Sequence, residues 1–157
     1  MGANGAYSRG MISISDEAKR TMIDTDYRVD YRKVLVFKHN PMHDNIPVIS
    51  SSDSPIYLCA SVDETGTITI SAIGVYENHR IQQSIDLKFD SKGNAIPFAK
   101  GDENSCHMHK WFDNAKGNRY RNPHDPDNVY SVPQSLKPLI KKIVQFNKAQ
   151  NVWKKKD

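Results

Sequence analysis

The chain has 157 residues, 38% of them hydrophobic and 25% charged, with a formal charge of +4. That length fits one domain able to bury a core without disulfides or a structural metal. No apolar run approaches the roughly 18 residues that cross a bilayer, and the opening MGANGAYSRG lacks the apolar centre of a signal peptide.

Taken in chain order, residues 1–14 are rich in Gly, Ala and Ser and are expected to be a mobile N-terminal segment, with a short edge strand at Met11–Ile14 as the alternative. Residues 15–157 are expected to form a single domain. Ser15, Asp16 and Glu17 resemble a helix start, which would run to Met22. Val34–Phe37 is a short apolar run of strand type, followed by turn-rich stretches at 40–45 and 50–55. Ile56–Val62 and Thr67–Tyr76 flank Asp63-Glu64-Thr65-Gly66, the clearest hairpin signal in the chain. The alternation of the second arm slips after Ile70, and Gly74 marks a bulge or a close backbone approach. After a turn at Glu77–Arg80, Ile81, Ile85, Leu87 and Phe89 alternate with polar residues that include Asp86. Consecutive strands of this kind predict an antiparallel meander.

Periodicity vanishes between Asp90 and Val132, and structureless stretches of that length in compact domains are usually functional. A helix closes the chain. Ser135 is the expected N-cap, and Pro138 is tolerable in the first turn. Leu136, Leu139, Ile140, Ile143, Val144 and Asn147 share one face, with Phe146 and Trp153 helping to dock it. Lys137, Lys141, Lys142 and Lys148 lie mainly off that face. The segment from Lys137 onward carries a net charge of +6, against −2 for residues 1–136. This local basicity suits either a solvated face or contact with a polyanion such as nucleic acid. The expected fold class is therefore α+β: an antiparallel meander sheet of four to five strands, one long C-terminal helix and a long polar loop.

That loop carries Cys106-His107-Met108-His109-Lys110-Trp111 and then Arg119, Arg121 and His124. Three readings of it compete. In the favoured one, His107, His109 or His124 supplies general acid and base, while Lys110, Arg119 or Arg121 holds a phosphate. RNA cleavage without a metal needs little more than these groups. An extended Cys106–Trp111 would project His107 and His109 from one face. In the second reading these two histidines bind a metal, with His124 or Asp113 as third ligand and Cys106 available to zinc. In the third, the histidines are hydrogen-bonded members of a polar loop that Trp111 pins to the core. His39, His43 and His79 read as turn residues and Cys59 as a small core residue. Asp125 and Asp127 either orient His124 or belong to ordinary turns. Two cysteines in such a chain are expected to be free thiols in a reducing compartment.

The succession SIDLKFD, a glycine turn, HMHKW, GNRYRNPHDP and a closing helix resembles the C-terminal effector domains of bacterial polymorphic toxins and the tails of phage minor-head proteins. The resemblance spans residues 56–145 and is strongest over 84–125, where His107, His109, Arg121 and His124 match. Cys106 stands where similar domains often have proline. The resemblance implies a small nuclease effector working in a bacterial cytoplasm.

Together these lead to the expectation of a metal-independent ribonuclease without a cofactor. His109 and His124 would be its acid/base pair, with His107 beside them. Lys110, Arg119 and Arg121 would hold the phosphate, and Lys137, Lys141, Lys142 and Lys148 the RNA backbone. RNA or another nucleic acid is the expected partner, together with a cognate immunity or host defence protein, and no membrane. The alternative is a non-enzymatic phage or mobile-element protein that presents the basic helix to nucleic acid or to an acidic host protein.

Overall fold

The computed structural model describes residues 22–37, 55–113, 119–120 and 125–153. The N-terminal segment and helix start expected before Met22, His39, His43, Arg121, His124 and Lys154–Lys156 lie outside the described residues. The fold is α+β. A six-stranded sheet runs in chain order through β1 (Met22–Val29), β2 (Arg32–Phe37), β3 (Ile56–Val62), β4 (Ile68–Glu77), β5 (Arg80–Asp86) and β6 (His107–Lys110). A small second ribbon pairs β7 (Phe112–Asp113) with β8 (Arg119–Tyr120). After a 3-10 turn at Gln134–Leu136 comes the helix α1, Lys137–Lys148.

The sheet is not the pure antiparallel meander that the hairpin signals suggest. β2 and β3 pair in parallel, Val34 against Leu58 and Leu35 against Cys59. Parallel neighbours need a crossover, and the stretch between Phe37 and Ile56 is long enough to make one. Six strands also exceed the four to five expected. β1 (MIDTDYRV) shows no clean alternation because it is irregular between Asp24 and Arg28, with Asp26 at φ 69°. The Arg28 guanidinium spans this irregularity to Asp24 at 2.8 Å.

Two further bulges explain where the apolar pattern slips. Cys59 faces Ala72 but Ala60 faces Ile70, so Ser71 is the extra residue on β4. Ile68 and Ile70 before it, and Ile73 after it, therefore reach the same core. On β5, Val75 faces Gln83 while Tyr76 faces Ile81, which leaves Gln82 extra. Ile81 is thereby turned away from Ile85 and Leu87, with which simple alternation would group it, and packs with Tyr57, Cys59, Ala72, Tyr76 and Trp111. Gly74 marks a close approach: a Cβ there would come within 2.7 Å of the Tyr76 ring.

The two faces of the sheet are covered differently. One packs Val34, Val36, Leu58, Ile68, Ile70, Ile73 and Ile85 against Leu136, Leu139, Ile140 and Ile143 of the C-terminal segment. Asn147, a member of the same helix face, accepts from the Ile70 amide (2.8 Å) and donates to its carbonyl (3.0 Å). Ser135 is not the N-cap; it lies within the 3-10 turn, and Leu136 precedes α1 without a side-chain cap. The opposite face carries the smaller aromatic cluster around Trp111, whose indole N–H donates to Ser84 Oγ at 3.0 Å. Cys59 and Cys106 are both free and buried.

Candidate active site

The polar stretch after Asp90 contains a strand that apolar periodicity alone does not reveal. HMHK pairs antiparallel with β5, placing Asp86 opposite His107 and Ser84 opposite His109. Side chains alternate along a strand, so Cys106 and Met108 enter the core beneath α1. His107, His109 and Trp111 belong to the other face. The expectation that the two histidines share one face holds.

They converge on a residue that the loop motif did not include. Asp86 Oδ2 lies 3.3 Å from His107 Nε2 and 3.1 Å from His109 Nε2. The rings meet edge to face with centroids 4.7 Å apart. His107 Nδ1 lies 2.7 Å from the Ser105 carbonyl, and His109 Nδ1 lies 2.6 Å from the Asn128 carbonyl. A carbonyl oxygen only accepts, so both Nδ1 atoms carry a proton; each Nε2 then donates to Asp86 when its ring is an imidazolium and turns a bare lone pair toward it when the ring is neutral. Burial would raise the Asp86 carboxyl, but hydrogen bonds from His107 and His109 outweigh it and hold the group well below the usual carboxylate range. Asp86 in turn raises the His107 imidazole, against burial and with help from the Ser105 carbonyl.

Two buried polar residues fix this arrangement, and sequence reasoning passed over both. Asn128 clamps the strand end: Lys110 N donates to its Oδ1 and its Nδ2 donates to the Lys110 carbonyl, each at 2.8 Å. The Ser105 hydroxyl ties down the preceding loop through the Ala99 amide and the Asp102 carbonyl. Replacing Asn128 with Ala strands buried backbone groups of Lys110 and should cost about 2–3 kcal/mol. An unchanged urea midpoint for that variant would show that the clamp is dispensable.

The three side chains open into a cleft of about 510 Å³, lined also by Lys88, Asp102, Glu103 and Asp125 among others. Among the described residues its walls carry four carboxylates and one lysine. Of the proposed phosphate-binding residues, Lys110 does not reach the cleft, while Arg121 and the side chain of Arg119 lie outside the described residues. Lys110 departs from the other face of β6 and sets its ammonium 4.3 Å from the centre of the Tyr130 ring. Arg119 pairs with Asp113 in the β7–β8 ribbon. Asp113, a suggested third metal ligand, is bound by Arg80 at 2.7 Å. Cys106 faces away from the histidines, and its sulfur exchanges hydrogen bonds with the Lys88 backbone. Asp125 lines the cleft, and its carboxylate caps the Asp127 amide in turn fashion.

Lys137, Lys141, Lys142 and Lys148 are exposed on α1, which covers the sheet face opposite the histidines. Lys142 pairs with Asp30 at 2.9 Å and Lys148 with the Asn94 side chain at 2.6 Å. No helix among the described residues is long and apolar enough to cross a membrane. Comparison with protein-family models, curated proteins and solved structures returns no match.

Proposed function

We propose that the protein is a small effector-type nuclease that cleaves RNA phosphodiesters in the cleft at His107, His109 and Asp86. One observation carries the reading: two buried imidazoles, locked into one tautomer by backbone carbonyls, aim their Nε2 atoms at a shared carboxylate beside open space. Phosphodiester transfer needs a group to take the 2′-hydroxyl proton and another to protonate the leaving 5′-oxygen. His107, whose imidazole Asp86 pushes upward, suits the acid role, and His109 the base. Asp86 is the third member of the described group and holds both rings in place, while His124, first paired with His109, lies outside the described residues.

The acidic lining sets a condition on this chemistry. A phosphate entering beside Asp86, Asp102, Glu103 and Asp125 meets repulsion unless positive charge is present at the bottom of the cleft. Imidazolium and Lys88 supply some of that charge. A bound cation would supply more.

The test is incubation of the purified protein with labelled RNA and duplex DNA, read on a denaturing gel. Cleavage of RNA that disappears in a folded His109→Ala variant supports the reading, and intact substrate throughout opposes it. The second reading, a binding protein that presents α1 to nucleic acid or an acidic immunity or defence protein, is favoured by the exposed lysines on the far side of the sheet. Under it, reversing Lys137 and Lys141 to Glu abolishes salt-sensitive binding, whereas the histidine variants leave binding intact.

A further inference from the structure

The geometry points to a divalent transition-metal site formed by Asp86 Oδ2, His107 Nε2 and His109 Nε2. These three atoms lie within 4.8 Å of one another. Ligands about 2.0–2.1 Å from a tetrahedral ion stand roughly 3.3–3.4 Å apart, and the two Asp86–histidine separations are 3.3 and 3.1 Å. Both Asp86–histidine spacings are those of a coordination edge.

Proton placement separates an ion site from an ordinary hydrogen-bonded cluster. Both Nδ1–H groups are committed to carbonyls, of Ser105 and of Asn128. Each neutral imidazole therefore turns a lone pair toward the Asp86 carboxylate, and two such lone pairs facing an anion repel it. Two routes relieve the conflict: protonation of the rings, or a cation among the three atoms. Protonating His107 alone leaves the His109 lone pair against the carboxylate at 3.1 Å, and protonating both sets two buried like charges side by side, with rings 4.7 Å apart. One divalent ion satisfies all three ligands at once. Histidines that donate their second nitrogen to a backbone carbonyl are the usual outer-shell arrangement of metal-binding imidazoles.

The scaffold is as firm as a metal site needs. Asp86 and His107 are cross-strand partners, His109 follows two residues on, and Ser105 and Asn128, which carry the outer-shell carbonyls, are themselves buried. Two imidazoles and one carboxylate select a first-row ion such as zinc, cobalt or ferrous iron over the oxygen-preferring magnesium or calcium. Further ligand positions face the cleft, where Asp102, Glu103 and Asp125 add negative potential. Asp86 supplies the third ligand in this arrangement; Asp113 is engaged by Arg80, and His124 lies outside the described residues. With an ion held there both Nε2 atoms would be engaged and free acid/base work by the two rings would be lost; the ion would instead supply Lewis-acid polarisation of a phosphoryl oxygen. That catalytic consequence rests on the nuclease reading, whereas ion binding does not.

The test is titration of the full EDTA-treated chain with Co²⁺, followed by ligand-field absorption, and with Zn²⁺ by calorimetry. The expected result is one ion per chain, with affinity weakened at least about 100-fold in His109→Gln and in the near-isosteric Asp86→Asn. Should the histidine variant fail to fold, Asp86→Asn decides alone. Absence of stoichiometric binding overturns the inference, as does unchanged affinity in Asp86→Asn. RNA cleavage that persists in EDTA yet is lost in Asp86→Asn would also overturn it while leaving the nuclease reading intact. Tight binding by the cluster with no cleavage of any nucleic acid would uphold it and remove the nuclease reading.

Discussion

His109→Ala is expected to lower RNA cleavage at least about 100-fold, the ordinary weight of a group acting on the proton or ion at the reacting centre. The effect should exceed that of any lysine substitution on α1. His109 is buried, joined at one nitrogen to Asn128 and at the other to Asp86. Deleting its ring leaves His107 and the carboxylate without their partner, but it removes little of the apolar packing, because the ring lies against polar groups. The variant should therefore fold, as its circular dichroism and urea midpoint would show. A folded variant that cleaves at the wild-type rate would exclude His109 from the chemistry. Reversing Lys142, which pairs with Asp30 on the layer opposite the cleft, should change the rate far less.

Trp111→Ala is expected to cost about 3–5 kcal/mol of stability, as for other large aromatics deleted from a core. Trp111 is only 3% exposed, and it packs with Tyr57, Cys59, Ala72, Tyr76 and Ile81. Its loss also orphans the Ser84 hydroxyl, which is buried on β5 between the aromatic cluster and Asp86. Because Trp111 follows β6 directly, the same substitution should loosen the histidine strand. Denaturant unfolding measures the first effect, and proton exchange at the His109 and Lys110 amides measures the second. A loss below about 1 kcal/mol would mean that the second face of the sheet is not a true core.

The two faces of the molecule were unequally legible in sequence. The apolar stripe of α1 and the hairpin around Asp63–Gly66 follow directly from period and turn chemistry. Asp63 takes the amides of Thr65 and Thr67 on one oxygen, as its position before a Thr-Gly turn suggests. β1 was hidden because a strand with an irregularity and only Thr25 and Val29 fully buried leaves no alternation to read. The bulges at Ser71 and Gln82 shift which residues share a face, which a strict period of two assigns wrongly for Ile81.

The site was half visible for a related reason. His-x-His is a local pattern, and an extended segment necessarily sets both rings on one side. Asp86 lies 21 residues upstream of His107 in the numbering and joins it only through strand pairing. In the sequence it looks like any polar residue on the wet side of a strand. Once HMHK is seen as the next strand beside it, that wet side becomes the floor of the cleft. Asn128 and Ser105 gave no signal, because their function is to bond backbone groups that sequence does not locate. Lys110 misled in the opposite direction: adjacency to His109 along a strand means projection from the other face, where it meets Tyr130.

The two proposals meet in one expectation: RNA is cleaved in the Asp86–His107–His109 cleft, and an ion bound there takes the place of acid/base work by free imidazoles. The most direct test sets four samples against labelled RNA and duplex DNA on one denaturing gel: protein as purified, EDTA-treated, EDTA-treated with zinc restored, and Asp86→Asn. The account predicts RNA cleavage in the first and third samples and background in the second and fourth. Intact RNA in every lane, or equal cleavage by Asp86→Asn, would contradict it.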